Sequence, residues 1–98
     1  MKAIKFESRN ITEIDIENKL EAFQAAVDGY IETLQLIPDK VVMIVNEEGL
    51  LRGLAPNPFA SAVAGTMIVG NALVVGVDGE EFTDIPKEIA HQIKIKFA

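Results

Sequence analysis

Apolar and polar residues alternate in short segments of the first half of the chain, which predicts β-strands. The first segment covers residues 2–7 and the second covers residues 30–36. A turn at Pro38 and Asp39 separates the second segment from residues 41–45, a continuous run of apolar, mostly β-branched side chains. We predict that residues 30–36 and 41–45 form a hairpin whose second strand is buried on both faces.

Apolar residues recur at helical spacing between the first two of these segments. Thr12 and Asp15 are both suitable N-caps for this helix, and Gly29 is a suitable end. The stripe expected to be buried consists of Ile16, Leu20, Phe23 and Val27.

A second, short helix is predicted over residues 58–64. Asn57 suits its N-cap, Pro58 suits the first helical position, and Gly65 suits a left-handed end. After this helix, the apolar runs 67–69 and 73–75 flank a Gly-Asn pair. Such a pair favours a tight hairpin turn, and a single strand bent at a glycine bulge is the alternative.

The last helix is predicted to begin at Thr83 or Asp84, next to Pro86, and to run to about Gln92. Residues 93–97 alternate like a strand, so whether they are helix or strand stays open. Because strands outnumber helices and hairpins connect most of them, we predict an α+β fold. It should be a single domain over residues 1–98, with a small, mainly antiparallel sheet packed with two to three helices around a single layered core.

The chain is acidic, with a net charge of −6 from fifteen acids and nine bases. Such a surface repels phosphate groups, so direct binding of nucleic acid is not expected. The chain contains no cysteine, which excludes disulfides and thiolate sites and suits a cytoplasmic location. Residues 54–77 carry no charge, but proline, asparagine and glycine interrupt them, so we expect no membrane span.

The charged residues are concentrated towards the two ends of the chain. Residues 1–32 hold seven acids and residues 78–88 hold five, whereas between Gly49 and Val77 the only charged side chain is Arg52. The middle of the chain is therefore either the core, or the core plus an apolar contact surface.

The turn after residues 41–45 carries the most polar group of side chains. Its oxygens could bind Mg²⁺, Ca²⁺ or a cationic partner and belong to Asn46, Glu47 and Glu48. Because a hard cation needs about six oxygen ligands, a solvated turn is favoured. Arg52 is a candidate anion anchor, although an ion pair with Glu47 or Glu48 is favoured. Helix capping explains Asn57, which we retain as the fifth candidate partner-binding residue.

No set of residues supports catalysis. His91 is the only histidine, Ser8 and Ser61 are the only serines, and a nucleophile–base triad is therefore not expected. The glycines match neither the phosphate-binding loop nor the dinucleotide fingerprint. We predict no catalytic, cofactor-binding or metal-binding residue, and no enzyme.

Residues 46–76 combine three motifs in order: an Asn-Glu-Glu-Gly turn, an Asn-Pro helix start and an Ile-Val-Gly segment. In these motifs the chain resembles the family known as domain of unknown function 3846. The resemblance implies a small bacterial or phage protein, often encoded on plasmids, prophages and conjugative elements, with no assigned activity. Ala55 stands where similar sequences are expected to have proline.

Together these observations favour a small acidic intracellular domain that acts through protein interaction, as an accessory protein of a mobile genetic element. Its partner is either an unknown protein or a second copy bound through the uncharged middle of the chain. One alternative is an acidic DNA mimic that inhibits a host nucleic-acid enzyme. Another is a small-ligand or metal-binding module at residues 46–57.

Overall fold

The computed structural model describes residues 1–98, and nine elements follow one another along the chain. They are β1 (Lys2–Phe6), β2 (Ile11–Asp15), α1 (Leu20–Val27), β3 (Ile31–Ile37), β4 (Val41–Asn46), α2 (Pro58–Ala64), β5 (Ala72–Asp78), β6 (Glu81–Thr83) and α3 (Lys87–Lys96). All strands belong to one antiparallel sheet of order β2-β1-β5-β4-β3, in which β6 also pairs with β5. The predicted α+β class is confirmed.

The two central strands form the middle of the core. Every residue of β4 is buried, as predicted, and so are the first five residues of β5. Their side chains alternate between two apolar clusters on opposite faces of the sheet, one shared with α1 and the other shared with α2 and α3. The core therefore has two layers and not the single layer expected, because helices cover both faces of the sheet.

The first helix begins later than predicted, because the residues before it form strand β2. This strand pairs with β1 along its whole length, and the amide of Ile16 extends the pairing with a hydrogen bond to the carbonyl of Met1, at 2.9 Å. Thr12 and Asp15 are therefore strand residues and not helix caps. Lys19 is the N-cap residue of α1, and its side chain makes no capping bond.

The second helix has the predicted bounds. The side chain of Asn57 accepts a hydrogen bond from the amide of Ala60, and Gly65 ends the helix in the left-handed conformation with a φ of 73°. Each of these signals acts within a few residues of the helix, which is why the sequence alone located it.

Residues 67–69 do not form a strand, so the hairpin predicted around Gly70 is wrong. Val69 makes an isolated bridge to Pro56, which pairs this segment with the residues before α2 and not with β5. The bent single strand is excluded for the same reason. The hairpin in this part of the chain instead joins β5 to β6, a three-residue strand that the sequence pattern did not predict.

The last helix is displaced and extended relative to its prediction. It begins only after Pro86, and it includes all but the last of residues 93–97, which excludes a strand there. The ring of Phe97 packs against those of Phe6 and Phe59, with centroid distances of 6.4 and 5.0 Å. These contacts hold the end of α3 against the sheet and α2.

Candidate functional site

The five candidate residues all lie on or at the ends of one connection, the segment between β4 and α2. Asn46 is the last residue of β4, and Asn57 is the N-cap of α2. Glu47, Glu48 and Arg52 lie between them. The fold brings Asn46 and Arg52 to the same helix end with Glu48 beside them, and it directs Glu47 and Asn57 elsewhere.

Asn57 is enclosed by the protein, with 1% of its surface exposed. Its Oδ1 accepts a hydrogen bond from the amide of Ala60 at 3.1 Å, and its Nδ2 donates to the carbonyl oxygens of Phe6 and Gly70, both at 2.9 Å. One side chain therefore caps α2 and connects it to β1 and to the segment before β5. All its polar atoms face inward, which gives it a structural role.

Asn46 and Arg52 both bind the C-terminal end of α1. Nδ2 of Asn46 donates to the carbonyl oxygens of Val27 and Asp28, at 3.0 and 3.1 Å, and its Oδ1 accepts from the amide of Glu48 at 2.8 Å. Nη1 of Arg52 donates to the carbonyl of Asp28, and its Nη2 lies 3.2 Å from the Asp28 carboxylate. Carbonyls at a helix C-terminus lack intrahelical donors and carry partial negative charge, so both side chains stabilise α1.

The ion pair of Arg52 differs from the one expected, since its partner is Asp28 and not Glu47 or Glu48. The end of α1 attracts the guanidinium more strongly because it offers a carbonyl without an intrahelical donor as well as a carboxylate. Gly29 makes this approach feasible: a β-carbon there would lie 2.7 Å from Nδ2 of Asn46 and 2.8 Å from Nη1 of Arg52. Gly29 thus follows the helix end and leaves room for both donors.

Glu47 and Glu48 are adjacent but face different surfaces. Glu47 lines a cavity together with Glu32 of β3, whereas Glu48 lies beside Tyr30 and Arg52. Adjacent side chains in an extended segment are expected to point in opposite directions, as these two do. The two carboxylates therefore do not offer their oxygens to the same cation. No group of three or more histidine, cysteine, aspartate or glutamate side chains lies close enough together to hold a metal ion.

Three large apolar side chains near Glu47 are exposed to solvent. The exposed fractions are 75% for Leu50, 89% for Leu51 and 69% for Met67. They line one cavity of about 430 Å³, which Leu34 of β3 also lines. We call Leu50, Leu51 and Met67 the loop surface. Neighbouring exposed apolar side chains of this kind mark interaction sites more often than scattered ones do.

The sequence pattern did not predict the loop surface. It placed these residues in the uncharged middle of the chain and left open whether that region was all core or also a contact surface. The region is not all core, because the first five residues of β5 are buried whereas Leu50, Leu51 and Met67 are exposed. A signal was present: Leu50 and Leu51 follow the turn glycine directly and belong to no periodic segment that would bury them.

Acids and bases are interspersed over the rest of the surface. Five ion pairs are present: Lys2–Asp15, Lys19–Glu17, Lys40–Glu88, Arg52–Asp28 and Lys94–Glu13. In the first, a 2.9 Å hydrogen bond from Lys2 holds the pKa of Asp15 below its ordinary value, and the carboxylate raises the pKa of Lys2. This interspersion does not favour DNA mimicry, which needs a continuous acidic surface. Glu32 and Glu47 take part in none of the pairs.

The uncharged residues 54–77 are divided among α2, a loop and β5. None of the three helices combines the length and the hydrophobicity needed to cross a membrane. No curated protein and no solved structure matches the chain. One family, described as a domain of unknown function (DUF3846), matches residues 1–98, the whole chain, and the protein therefore belongs to that family.

Proposed function

We propose that this domain is a protein-interaction module that binds its partner through the loop surface. The observation that carries the proposal is the clustering of Leu50, Leu51 and Met67 around one cavity while each remains more than two-thirds exposed. Covering these side chains would remove apolar area from water, which is the main favourable contribution to most protein associations.

The charges around the loop surface favour a basic partner. Glu32 and Glu47 line the same cavity as Leu51, and no base neutralises either carboxylate within the chain. A partner with an apolar anchor flanked by lysine or arginine would complement both features. A second copy fits less well, because a symmetric pairing through this surface would bring acids close to acids.

The setting that we propose for this interaction is the cytoplasm of a bacterium that carries a plasmid or phage. The support for it is the family to which the chain belongs and the resemblance described from its motifs. In this setting the domain serves as an accessory protein and performs no catalysis itself.

A comparative pull-down from bacterial lysate tests the function. We expect the unaltered chain to retain a defined protein that the double variant L50S/L51S loses. Ile95→Ser is the matched control, because Ile95 is also apolar and 61% exposed but lies on α3. Light scattering on the purified unaltered chain should give a monomer. If L50S/L51S retains the same proteins as the unaltered chain, the loop surface is not the binding site.

A further inference from the structure

We propose that the partner binds as an extended strand added to the open edge of β3, with an apolar side chain seated against the loop surface and basic residues beside it. This inference rests on the proposed function and names the form of the partner. It combines three features of the structure: an unpaired strand edge, a cavity that opens beside it, and unneutralised acids at the same place.

The first feature is the free edge of β3. This strand is the last on its side of the sheet, and only β4 pairs with it. The amide of Glu47 donates to the carbonyl of Tyr30 at 2.8 Å, which fixes the phase of the hydrogen bonds between β3 and β4. By alternation, Ile31, Thr33 and Gln35 direct their backbone amides and carbonyls away from β4. These groups are available to an added strand.

The second feature is the position of the loop surface next to this edge. The cavity of about 430 Å³ is lined both by Glu32 and Leu34 of β3 and by Leu51 and Met67. Side chains of a sheet alternate between its two faces, so every second residue of an added strand would lie on the cavity side. A large apolar residue at such a position would reach the loop surface while its neighbours paired with β3.

A second apolar groove continues along the same edge. It has a volume of about 280 Å³ and is lined by Leu36 of β3, Val63 of α2 and Ile89 of α3, among others. Leu34 and Leu36 both pack against the apolar cluster that β3 shares with α2 and α3, although the register of β3 shifts between Gln35 and Ile37. An added strand that pairs with residues 31–35 would therefore meet the loop surface first, and this groove lies beyond the end of the regular pairing.

The third feature is charge, which also distinguishes β3 from the opposite edge of the sheet. Strand β2 has two acids among five residues, and β3 has one among seven. Exposed edges are commonly protected by charged side chains or bulges; β3 is the longer edge with fewer acids, and its register shift between Gln35 and Ile37 leaves residues 31–35 as the regular part. Its single acid, Glu32, lies on the cavity side near Glu47, where it would attract a basic strand and repel an acidic one.

Synthetic peptides test this inference. The probe is the capped peptide Arg-Ser-Val-Thr-Leu-Thr-Val-Ser-Arg, whose apolar and basic residues lie on one face of an added strand. Two analogues carry backbone N-methyl groups, one on both threonines and the other on both valines. Only alternate amides of an added strand pair with the edge, so one analogue should bind at least about tenfold more weakly and the other within about threefold of the parent. An analogue with glutamate at both ends should also bind more weakly.

Amide hydrogen exchange gives the second measurement. In the free protein the amides of Ile31, Thr33 and Gln35 should exchange quickly, and the parent peptide should slow all three. Equal binding of both methylated analogues, or unchanged exchange at these amides, would overturn strand addition. If strand addition were overturned in this way but the parent peptide bound the unaltered chain and not L50S/L51S, the loop surface would remain the binding site. No binding of the parent peptide also overturns strand addition, and the pull-down then decides the proposed function separately.

Discussion

The connection between β4 and α2 contains two regions of opposite character. At its ends, Asn46 and Asn57 are buried polar residues whose side chains bind backbone groups of distant elements. At its tip, Leu50 and Leu51 are large apolar residues that point into solvent. This arrangement is the reverse of the usual one, in which loops expose polar side chains and bury apolar ones.

The reversal has a physical explanation. A loop that displays apolar side chains gains little stability from them, so its conformation has to be fixed elsewhere. Asn46 and Arg52 fix one end against α1, and Asn57 fixes the other end against β1 and α2. The polar ends therefore hold the connection in place, which leaves the tip free to meet a partner at a low ordering cost.

Replacing Asn57 should have the largest effect on folding. Asn57→Ala removes the helix cap and the donors to two buried carbonyls, so we expect the free energy of unfolding to fall by about 3 kcal/mol. Asn57→Ser is the matched variant, because serine keeps a capping oxygen but cannot donate to Phe6 and Gly70 together. Its loss should be about 2 kcal/mol. Urea unfolding followed by circular dichroism measures both.

A loss of about 1 kcal/mol in Asn57→Ala together with almost no loss in Asn57→Ser would contradict this account, because that is the result expected of an isolated cap. In that case the bonds to Phe6 and Gly70 would contribute nothing, and the end of the connection would not be anchored as the comparison requires.

Replacing Arg52 should have a smaller effect, because its side chain is partly solvated. We expect Arg52→Ala to lower the free energy of unfolding by about 1 kcal/mol, mostly through the carbonyl at the end of α1. Asp28→Asn separates the two contributions: it removes the carboxylate, keeps the carbonyl, and tolerates the left-handed conformation of residue 28. It should cost less than about 0.5 kcal/mol. If both variants lose the same amount, the carboxylate is the main partner of Arg52.

The same contrast explains which features the sequence could predict. The helix α2 and its Asn57 cap were found because their signals are local, and β4 was found because a continuous apolar run is distinctive. The strands β2 and β6 were missed, because edge strands are specified by their neighbours more than by their own pattern. The Arg52–Asp28 pair joins residues far apart in the chain, so no local spacing could reveal it. Likewise, Leu51 is exposed because no other part of the chain packs over it, and its own local pattern does not show this.

Replacing the apolar tip should have the smallest effect on folding. L50S/L51S should change the free energy of unfolding by less than about 0.5 kcal/mol, since both side chains already lie in water. Leu73→Ala is the buried control: Leu73 has no exposed surface in β5, and its truncation should cost about 2–5 kcal/mol. Denaturant unfolding of both variants makes the comparison. A loss above about 1 kcal/mol in L50S/L51S would mean that these leucines pack against the fold. An unchanged stability together with lost partner binding would separate the two regions, with the ends of the connection serving the fold and its tip serving recognition.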